Sequence, residues 1–364
     1  MSTVKVAGIG WSQPDEGEQL SHAELLYRAT RQALADAGLT RDSITSAVTT
    51  SYDYVEGRNL SNQFTLDSIG GVMKSCDLRL SDDGIHSIAA GSLEALSEPG
   101  GVVVVAAVQM AGTELIDSTN RAVEEVFFEP LYMRPVVAGS AHPEALAFGM
   151  AARAYLDRHG VDEAKLAELV AARSAGSGEA RSTEEILDSP VIGGPLREGH
   201  RARRADAAAT LILTTDAPSG ARATVRGAGW CAEDGLISNR DLSEQRPTAL
   251  AAKQAYEAAG ISDPGAELAR VETYNAYGID EAQAAEALGL ADAGKGLDYL
   301  LGGDKVNPTG GIQASGWARG ASSLVQTVRA MEEMKDQPGA LLASQGWCGC
   351  GASSSAVAVF EIDG

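Results

Sequence analysis

An α/β fold made of two copies of one strand and helix unit is predicted by three features of this 364-residue chain. Short apolar strand candidates alternate with alanine-rich helical stretches, the pattern of sheets covered by helices on their faces. Segments of the first half reappear in the second half in the same order and at a nearly constant offset. A composition of 44% hydrophobic and 22% charged residues is enough for two packed cores or one large doubled domain.

Taken in order, Lys5-Val6-Ala7-Gly8-Ile9-Gly10-Trp11 reads as a strand ending in glycines, and Thr224-Val225-Arg226-Gly227-Ala228-Gly229-Trp230 repeats it. Residues 31–38 form an alanine-rich helix stopped by Gly38, echoed by 253–260 with its stop at Gly260. Strand candidates follow at 44–50 and 270–274. The helix at 91–96, the turn Pro99-Gly100 and the strand at 102–108 are then matched by a helix at 320–334, the turn Pro338-Gly339 and a strand at 340–344. Strands at 207–214 and 355–362 close the two halves. On this reading 1–215 is one half, 216–364 the other, and about 110–204 is an insertion, a lid or loop region, that the second half lacks. Within it 143–158 and 162–174 are helical, and 183–187 opens with the capping box Ser182 and Glu185.

The formal net charge of −21 argues against nucleic acid or an anionic membrane as partner, since both require a positive surface. The N-terminal residues lack a secretory pattern, and apolar runs such as 102–108 are too short to span a bilayer, so a cytoplasmic protein is expected. Cys76, Cys231, Cys348 and Cys350 show neither a CxxC pair nor zinc spacing, so neither a disulfide nor a metal is expected. Arg197, Arg201, Arg203 and Arg204 form the one dense basic cluster. It reads either as a phosphate holder or as a source of internal ion pairs or a subunit seam.

Asn307-Pro308-Thr309-Gly310-Gly311 resembles the Asn-Pro-Ser-Gly-Gly signature of thiolases. Val271-Glu272-Thr273-Tyr274-Asn275-Ala276-Tyr277 sits where that family carries Glu-Val-Asn-Glu-Ala-Phe or a Tyr-Asp-x-Phe variant. Residues 148–169, around Tyr155, Gly160 and Leu166, and Pro195-Leu196 followed by 204–209 are similar to the branch of sterol-carrier-protein-X thiolases and bacterial lipid-transfer proteins. The resemblance covers the whole chain. It implies a thiolase fold, two βαβαβ halves forming a layered αβαβα core.

The same resemblance places Ile88, in Ser87-Ile88-Ala89-Ala90-Gly91, at the position of the nucleophilic cysteine, and Trp317 at that of the catalytic histidine. Isoleucine cannot be acylated and an indole has no base. The two substitutions are expected to face one pocket. A third element, the acid/base cysteine near the C-terminus, falls at Cys348 or Cys350, which read equally well as small residues in a glycine turn. Cys76 reads as a small buried hydrophobe.

Tyr274 matches a tyrosine that points into the active site of thiolase-like aldolases, and His86 is either a further base or a core histidine. Asn275 would donate to a thioester oxygen or cap the following helix. Asn307, Gly310, Gly311 and Trp317 would line a pantetheine cradle, and Arg197 and Arg201 would meet the phosphates of coenzyme A. The implied readings are a retro-aldol lyase acting on a β-hydroxyacyl-CoA such as a steroid or lipid side chain, a noncatalytic partner or scaffold subunit, and an acyltransferase with a displaced cysteine. No tightly bound cofactor is expected, only a coenzyme A thioester as substrate. The implied partners are a second copy, another thiolase-like subunit, or a small OB-fold zinc-ribbon acyl-CoA-binding protein.

Overall fold

The computed structural model describes residues 3–52, 65–112, 143–217 and 220–364. Part of the predicted insertion, 113–142, lies outside the described residues. The chain begins with strand β1 (Lys5–Ser12), helix α1 (His22–Asp36), strands β2 (Ser46–Thr50) and β3 (Cys76–Leu80), helix α2 (His86–Ser97) and strand β4 (Val103–Met110). Helices α3 (Pro143–His159), α4 (Glu163–Ser174) and α5 (Thr183–Asp188) and the small hairpin β5 (Val191–Gly193) and β6 (Leu196–Arg197) come next, before strand β7 (Asp206–Thr214). The later part holds β8 (Ala223–Ala232), α6 (Arg246–Ala259), β9 (Leu268–Glu272), α7 (Ile279–Ala287), α8 (Gly311–Ser315), α9 (Ser322–Glu333), β10 (Leu341–Cys348) and β11 (Ser354–Ile362).

Strand order shows the duplication directly. The main sheet runs β3-β2-β4-β7-β1-β8-β11-β10-β9, so β2, β4, β7 and β1 are mirrored by β9, β10, β11 and β8, with β3 extra at one edge. The halves join where β1 meets β8 at Lys5↔Thr224 and Val6↔Ala223. The Lys5 ammonium fastens the seam, reaching Thr224 Oγ1 at 2.6 Å and Asp363 Oδ2 at 3.0 Å.

Helices α2 and α9 each pack on strands of both halves, while α1 covers β1, β7 and β4, and α6 covers β8 and β11. The central helices therefore lie between two sheet regions that carry α1 and α6 on their outer faces, the predicted five-layer arrangement. Ile88, Val105, Leu211, Leu324, Val328 and Phe360 share the apolar cluster of this middle layer.

The glycine repeats have one physical cause in both halves. A Cβ at Gly8 or Gly10 would lie 2.2 Å from the Ala33 or Ala29 carbonyl oxygen of α1, and one at Gly227 or Gly229 would lie 2.2 or 2.4 Å from the Ala255 or Ala251 oxygen of α6. Strand and helix backbones touch, and only hydrogen fits between them. The next residue repeats as well. The Trp11 amide donates to Gln32 Oε1 at 3.0 Å, and the Trp230 amide donates to Gln254 Oε1 at 3.2 Å. Helix α6 ends on Gly260 at φ +76°, which L side chains rarely adopt, whereas α1 closes on Ala37 with Gly38 just beyond at φ +65°.

The insertion helices form as their caps dictate. Asp162 accepts from the Ala164 amide at the start of α4, and Ser182 and Glu185 make a reciprocal capping box at α5. Among the described residues no helix is long and apolar enough to cross a membrane. Because Gly8 meets backbone rather than a movable side chain, Gly8→Ala is expected to destabilise the chain by about 2 kcal/mol. Urea unfolding measures this, and an unchanged midpoint would refute the close-contact explanation.

Candidate active site

Six chain segments converge in the interior at the ends of the strands: Tyr52 after β2, the turn at 82–86 that opens α2, Glu144 in the first turn of α3, residues 273–277 after β9, the loop at 307–320, and residues 345–348 of β10. Only 5% of the chain is aromatic. Phe148, Tyr274, Tyr277, Trp317 and Trp347 nevertheless pack together here, with centroid distances of 5.0 Å for Phe148 to Tyr277, 4.7 Å for Phe148 to Trp347, 4.6 Å for Tyr274 to Trp347 and 5.7 Å for Tyr277 to Trp317. Such contacts hold rings in fixed orientations.

One hydrogen-bond chain runs through this cluster. The Trp317 indole Nε1 donates to the Tyr274 hydroxyl at 2.7 Å, and that hydroxyl donates to the Arg319 carbonyl at 2.6 Å. Arg319 adopts φ +37°, which bends the loop so that its guanidinium lies 4.8 Å over the Trp317 ring. Arg319 Nη1 also meets Glu144 Oε2 at 3.0 Å in a buried ion pair. Burial holds the Tyr274 phenol well above its ordinary pKa. Its proton is committed to a carbonyl.

The opposite wall carries the titratable groups. His86 is the first residue of α2, with Nδ1 3.3 Å from Asp82 Oδ1 and Nε2 3.1 Å from Ser354 Oγ. Burial lowers its pKa and outweighs the Asp82 carboxylate, which acts to raise it, so the ring is neutral at pH 7. Cys348 packs on Tyr52 at this wall, and burial, with Asp82 beside it, pushes its thiol well above the usual range. Cys350 lies apart with Ala147 and Ile237, its thiol raised by burial to about 12. Of the two candidates in the glycine turn, the structure brings Cys348 to the site. Cys76 is half-buried on the edge strand β3.

Ile88 and Trp317 do not share a cluster. Ile88 sits in the first turn of α2 and packs with Ala318, Ala321 and Leu324 between the sheets, whereas Trp317 belongs to the apolar group of Tyr274 and Trp347. The expected common pocket is therefore divided, because the first turn of α2 directs residue 88 into the core and residue 86 toward Ser354.

The Asn and Gly residues of the loop serve the fold. Asn307 Nδ2 donates to the Thr273 carbonyl at 3.1 Å and to Glu281 Oε1 at 2.9 Å, and its Oδ1 accepts from the Thr273 amide at 2.9 Å. Asn275 does cap a helix, but not the one that follows it. Its Oδ1 accepts the Ile312 amide of α8 at 2.8 Å, while Gly278 stands at the start of α7. A Cβ at Gly310 would strike the Arg173 carbonyl at 2.2 Å, and one at Gly311 the Asn275 amide at 2.8 Å. The protein's own packing already requires both glycines.

Behind this loop opens a surface cleft of about 1440 Å³ lined in part by Arg181, Arg201, Arg203, Arg204, Gln313 and Gly316. Arg181 forms part of the cleft wall, with Nη1 donating to the Gly199 and Arg201 carbonyls at 2.6 and 2.9 Å and Nη2 to Gln313 Oε1 at 2.7 Å. Arg201 pairs with Glu198, and Arg203, with 58% of its side chain exposed, faces Glu179 at 3.6 Å. Arg197 instead turns back to the Ser189 carbonyl at 3.0 Å. Among the described residues no group of three or more His, Cys, Asp or Glu side chains is placed to hold a metal ion.

Sequence reasoning missed Asp82, Asp83, Ser354, Glu144 and Arg181. The run Ser81-Asp82-Asp83-Gly84-Ile85-His86 did carry a signal, two acids and a histidine at a helix start. Asp83 is fully buried, accepts from the Ile85 amide at 3.1 Å and from the Ser323 hydroxyl, and is raised by burial to about 8. A Cβ at Gly346 would lie 1.8 Å from its Oδ1. Because this pKa exceeds that of the unfolded chain, the folded state holds the proton that the unfolded state loses. Stability from this residue is present below about pH 4 and is lost as pH rises toward about 8. Asp83→Asn is therefore expected to gain stability over the parent protein as pH goes from about 4 to about 8. Unfolding midpoints across that range test it, and a pH-independent difference would contradict the assignment.

No family model matches the chain. Its sequence is 24% identical over 372 residues to an acetyl-CoA acetyltransferase of Methanothermobacter thermautotrophicus, covering 92% of each chain. It is 30% identical over 168 residues to the benzoylsuccinyl-CoA thiolase subunit BbsB of Thauera aromatica, a match covering 43% of each. Among solved structures it is similar to the Ltp2-ChsH2(DUF35) aldolase, with a TM-score of 0.77 and 17% identity over 100% of this chain and 98% of that one. A monomeric SCP2-thiolase-like protein from Mycobacterium smegmatis gives 0.73 and 19% over 99% of this chain and 77% of that one. Human mitochondrial 3-ketoacyl-CoA thiolase in complex with CoA gives 0.74 and 14% over 100% and 98%. The chain thus has the thiolase fold along its whole length, and the superfamily resemblance carried by its loop motif and its duplicated halves is supported by both sequence and structure.

Proposed function

We propose that this protein is an acyl-CoA-binding subunit of a carbon–carbon bond-cleaving enzyme, working by retro-aldol chemistry on a β-hydroxyacyl-CoA with a lipid or steroid side chain. The observation that carries the proposal is the absence of thiolate chemistry at the positions that the resemblance implies for it. Ile88 cannot be acylated, Trp317 offers no base, and burial holds Cys348 and Cys350 as neutral thiols. An acyl-cysteine needs a thiolate.

A retro-aldol step does not. A base removes the β-hydroxyl proton, the Cα–Cβ bond breaks to leave a carbonyl product and a thioester enolate, and the enolate takes up a proton to give the shortened acyl-CoA. Neutral His86 is the proposed base. Tyr274, protonated and engaged, serves better to hold the Arg319 loop than to abstract a proton. Coenzyme A phosphates are assigned to the cleft of mixed charge that holds Arg181, Arg201, Arg203 and Arg204 beside Glu179 and Glu198, with Arg203 as the most accessible contact and Arg201 beside it.

The relatives' names include a two-component aldolase and a thiolase subunit, which supports a heteromeric assembly here with a second thiolase-like chain or a small acyl-CoA-binding protein. A noncatalytic role inside such a complex is the second reading, favoured by the aromatic packing that leaves Trp317 only 1% exposed.

Incubation of a β-hydroxyacyl-CoA with the chain, alone and with its partner, is expected to yield a carbonyl product and a shorter acyl-CoA without consuming free coenzyme A. Cleavage of a β-ketoacyl-CoA that depends on free coenzyme A would overturn the proposal in favour of thiolysis. Activity of the complex that survives His86→Gln would assign the chemistry to the partner. In calorimetry, Arg203→Ala is expected to weaken coenzyme A binding by about tenfold, the loss of one charged hydrogen bond.

A further inference from the structure

The geometry points to a second role for His86 that no thiolase signature describes: with the Asp82 charge beside it, His86 activates the Ser354 hydroxyl in a relay that lets Ser354 accept an acyl group. The residues lie far apart in sequence and meet only through the fold. Asp82 and His86 flank the entry to α2, and Ser354 opens β11. Their order in space is carboxylate, imidazole, hydroxyl, with Asp82 Oδ1 3.3 Å from Nδ1 and Nε2 3.1 Å from Ser354 Oγ. Nε2 is placed to take the hydroxyl proton, while Nδ1 makes no hydrogen bond to the carboxylate, so Asp82 acts on the imidazole through its charge alone.

Each member is held by rigid structure. Asp82 Oδ1 accepts the Asp83 amide at 2.9 Å, which fixes the carboxylate against the helix start. Ser354 pairs in register with Cys348 of β10 on one side and Ala232 of β8 on the other. The turn that delivers it is strained. Gly349, Gly351 and Ala352 take φ +75°, +57° and +58°, and alanine adopts that region only at a cost of about 1 to 2 kcal/mol. Strain of this kind is concentrated where a reactive side chain must be presented.

Access and protonation fit the same role. His86 is buried between two partners that are each partly exposed, so a donor can approach Ser354 from the solvent side. Its imidazole is neutral at pH 7, the form that accepts a proton.

The chemistry balances without any co-reactant beyond water. Ser354 Oγ attacks the carbonyl carbon of an activated acyl donor as its proton passes to His86 Nε2. The tetrahedral adduct collapses, the bond to the leaving thiol or alkoxide breaks, and the His86 proton goes to that leaving group. Water then attacks the acyl-serine with His86 again as base, releasing a carboxylic acid and restoring the hydroxyl. That the natural donor is an acyl-CoA thioester rests on the function proposed above; the reactivity of Ser354 does not.

The probe is therefore 4-nitrophenyl acetate, which contains no coenzyme A. The full chain is expected to release a burst of nitrophenolate and to carry one acetyl group on the peptide containing Ser354, identified by mass spectrometry. Ser354→Ala should lose both signals. Asp82→Asn, which leaves β11 untouched and removes only the charge beside the imidazole, should slow acetylation about tenfold or more. Acetylation confined to lysine or cysteine, or unchanged from the parent chain in Ser354→Ala or in Asp82→Asn, overturns the relay. Calorimetry with coenzyme A separates this from the previous section: binding without Ser354 acetylation refutes only the relay, and acetylation without binding refutes only the acyl-CoA reading.

Discussion

The Glu281 carboxylate has no exposed surface, and three donors from three separate segments converge on it. Arg173 Nε of α4 reaches it at 2.8 Å, Asn307 Nδ2 of the glycine loop at 2.9 Å and Asn275 Nδ2 of the segment after β9 at 3.2 Å. Breaking a buried pair of this kind by removing one partner costs about 3 kcal/mol or more, since the remaining charge is left without water or counter-charge. The insertion, the loop and the second-half sheet are thereby locked to one another. The aromatic wall of the site inherits its position from that lock, because residues 307–311 fix the start of α8 and α8 leads into Trp317 and Arg319.

The duplicated architecture and the site obey different constraints. The strand and helix joint is the same in both halves because backbone contact at Gly8, Gly10, Gly227 and Gly229 leaves room for hydrogen alone. At the converging strand ends the halves contribute different chemistry. The first supplies Tyr52, Asp82, Asp83 and His86, and the second supplies Tyr274, Trp317, Arg319, Cys348 and Ser354. Burial then sets the protonation of what meets there: Asp83 is raised to about 8, His86 is lowered, and the Cys348 thiol and Tyr274 phenol are raised. A site dry enough to hold a carboxylic acid and two neutral nucleophile precursors disfavours a free thiolate.

Most of the fold was legible in the sequence because it depends on local patterning and on a repeat. Gly260 ends its helix where expected, Ser182 and Glu185 cap theirs, and the strands at 207–214 and 355–362 lie within one residue of β7 and β11. The site was legible only in part. The glycines at 310 and 311 were recognised, but their neighbours, the Arg173 carbonyl and the Asn275 amide, come from distant segments. Asn275 was read as a possible cap of the next helix, and its side chain instead reaches across the loop to α8.

By itself the sequence determined that neither residue 88 nor residue 317 carries an ionisable group, whatever surrounds them. It also determined the doubled α/β framework, since periodicity and glycine stops act through near neighbours. Tertiary structure alone decided which side chains meet. It turned Ile88 into the core and His86 toward Ser354, chose Cys348 over Cys350, and separated Arg197 from the cleft that Arg201 and Arg203 line. The physical reason is that such contacts join residues from opposite ends of the chain, and burial, which sets their protonation, exists only once those ends have packed.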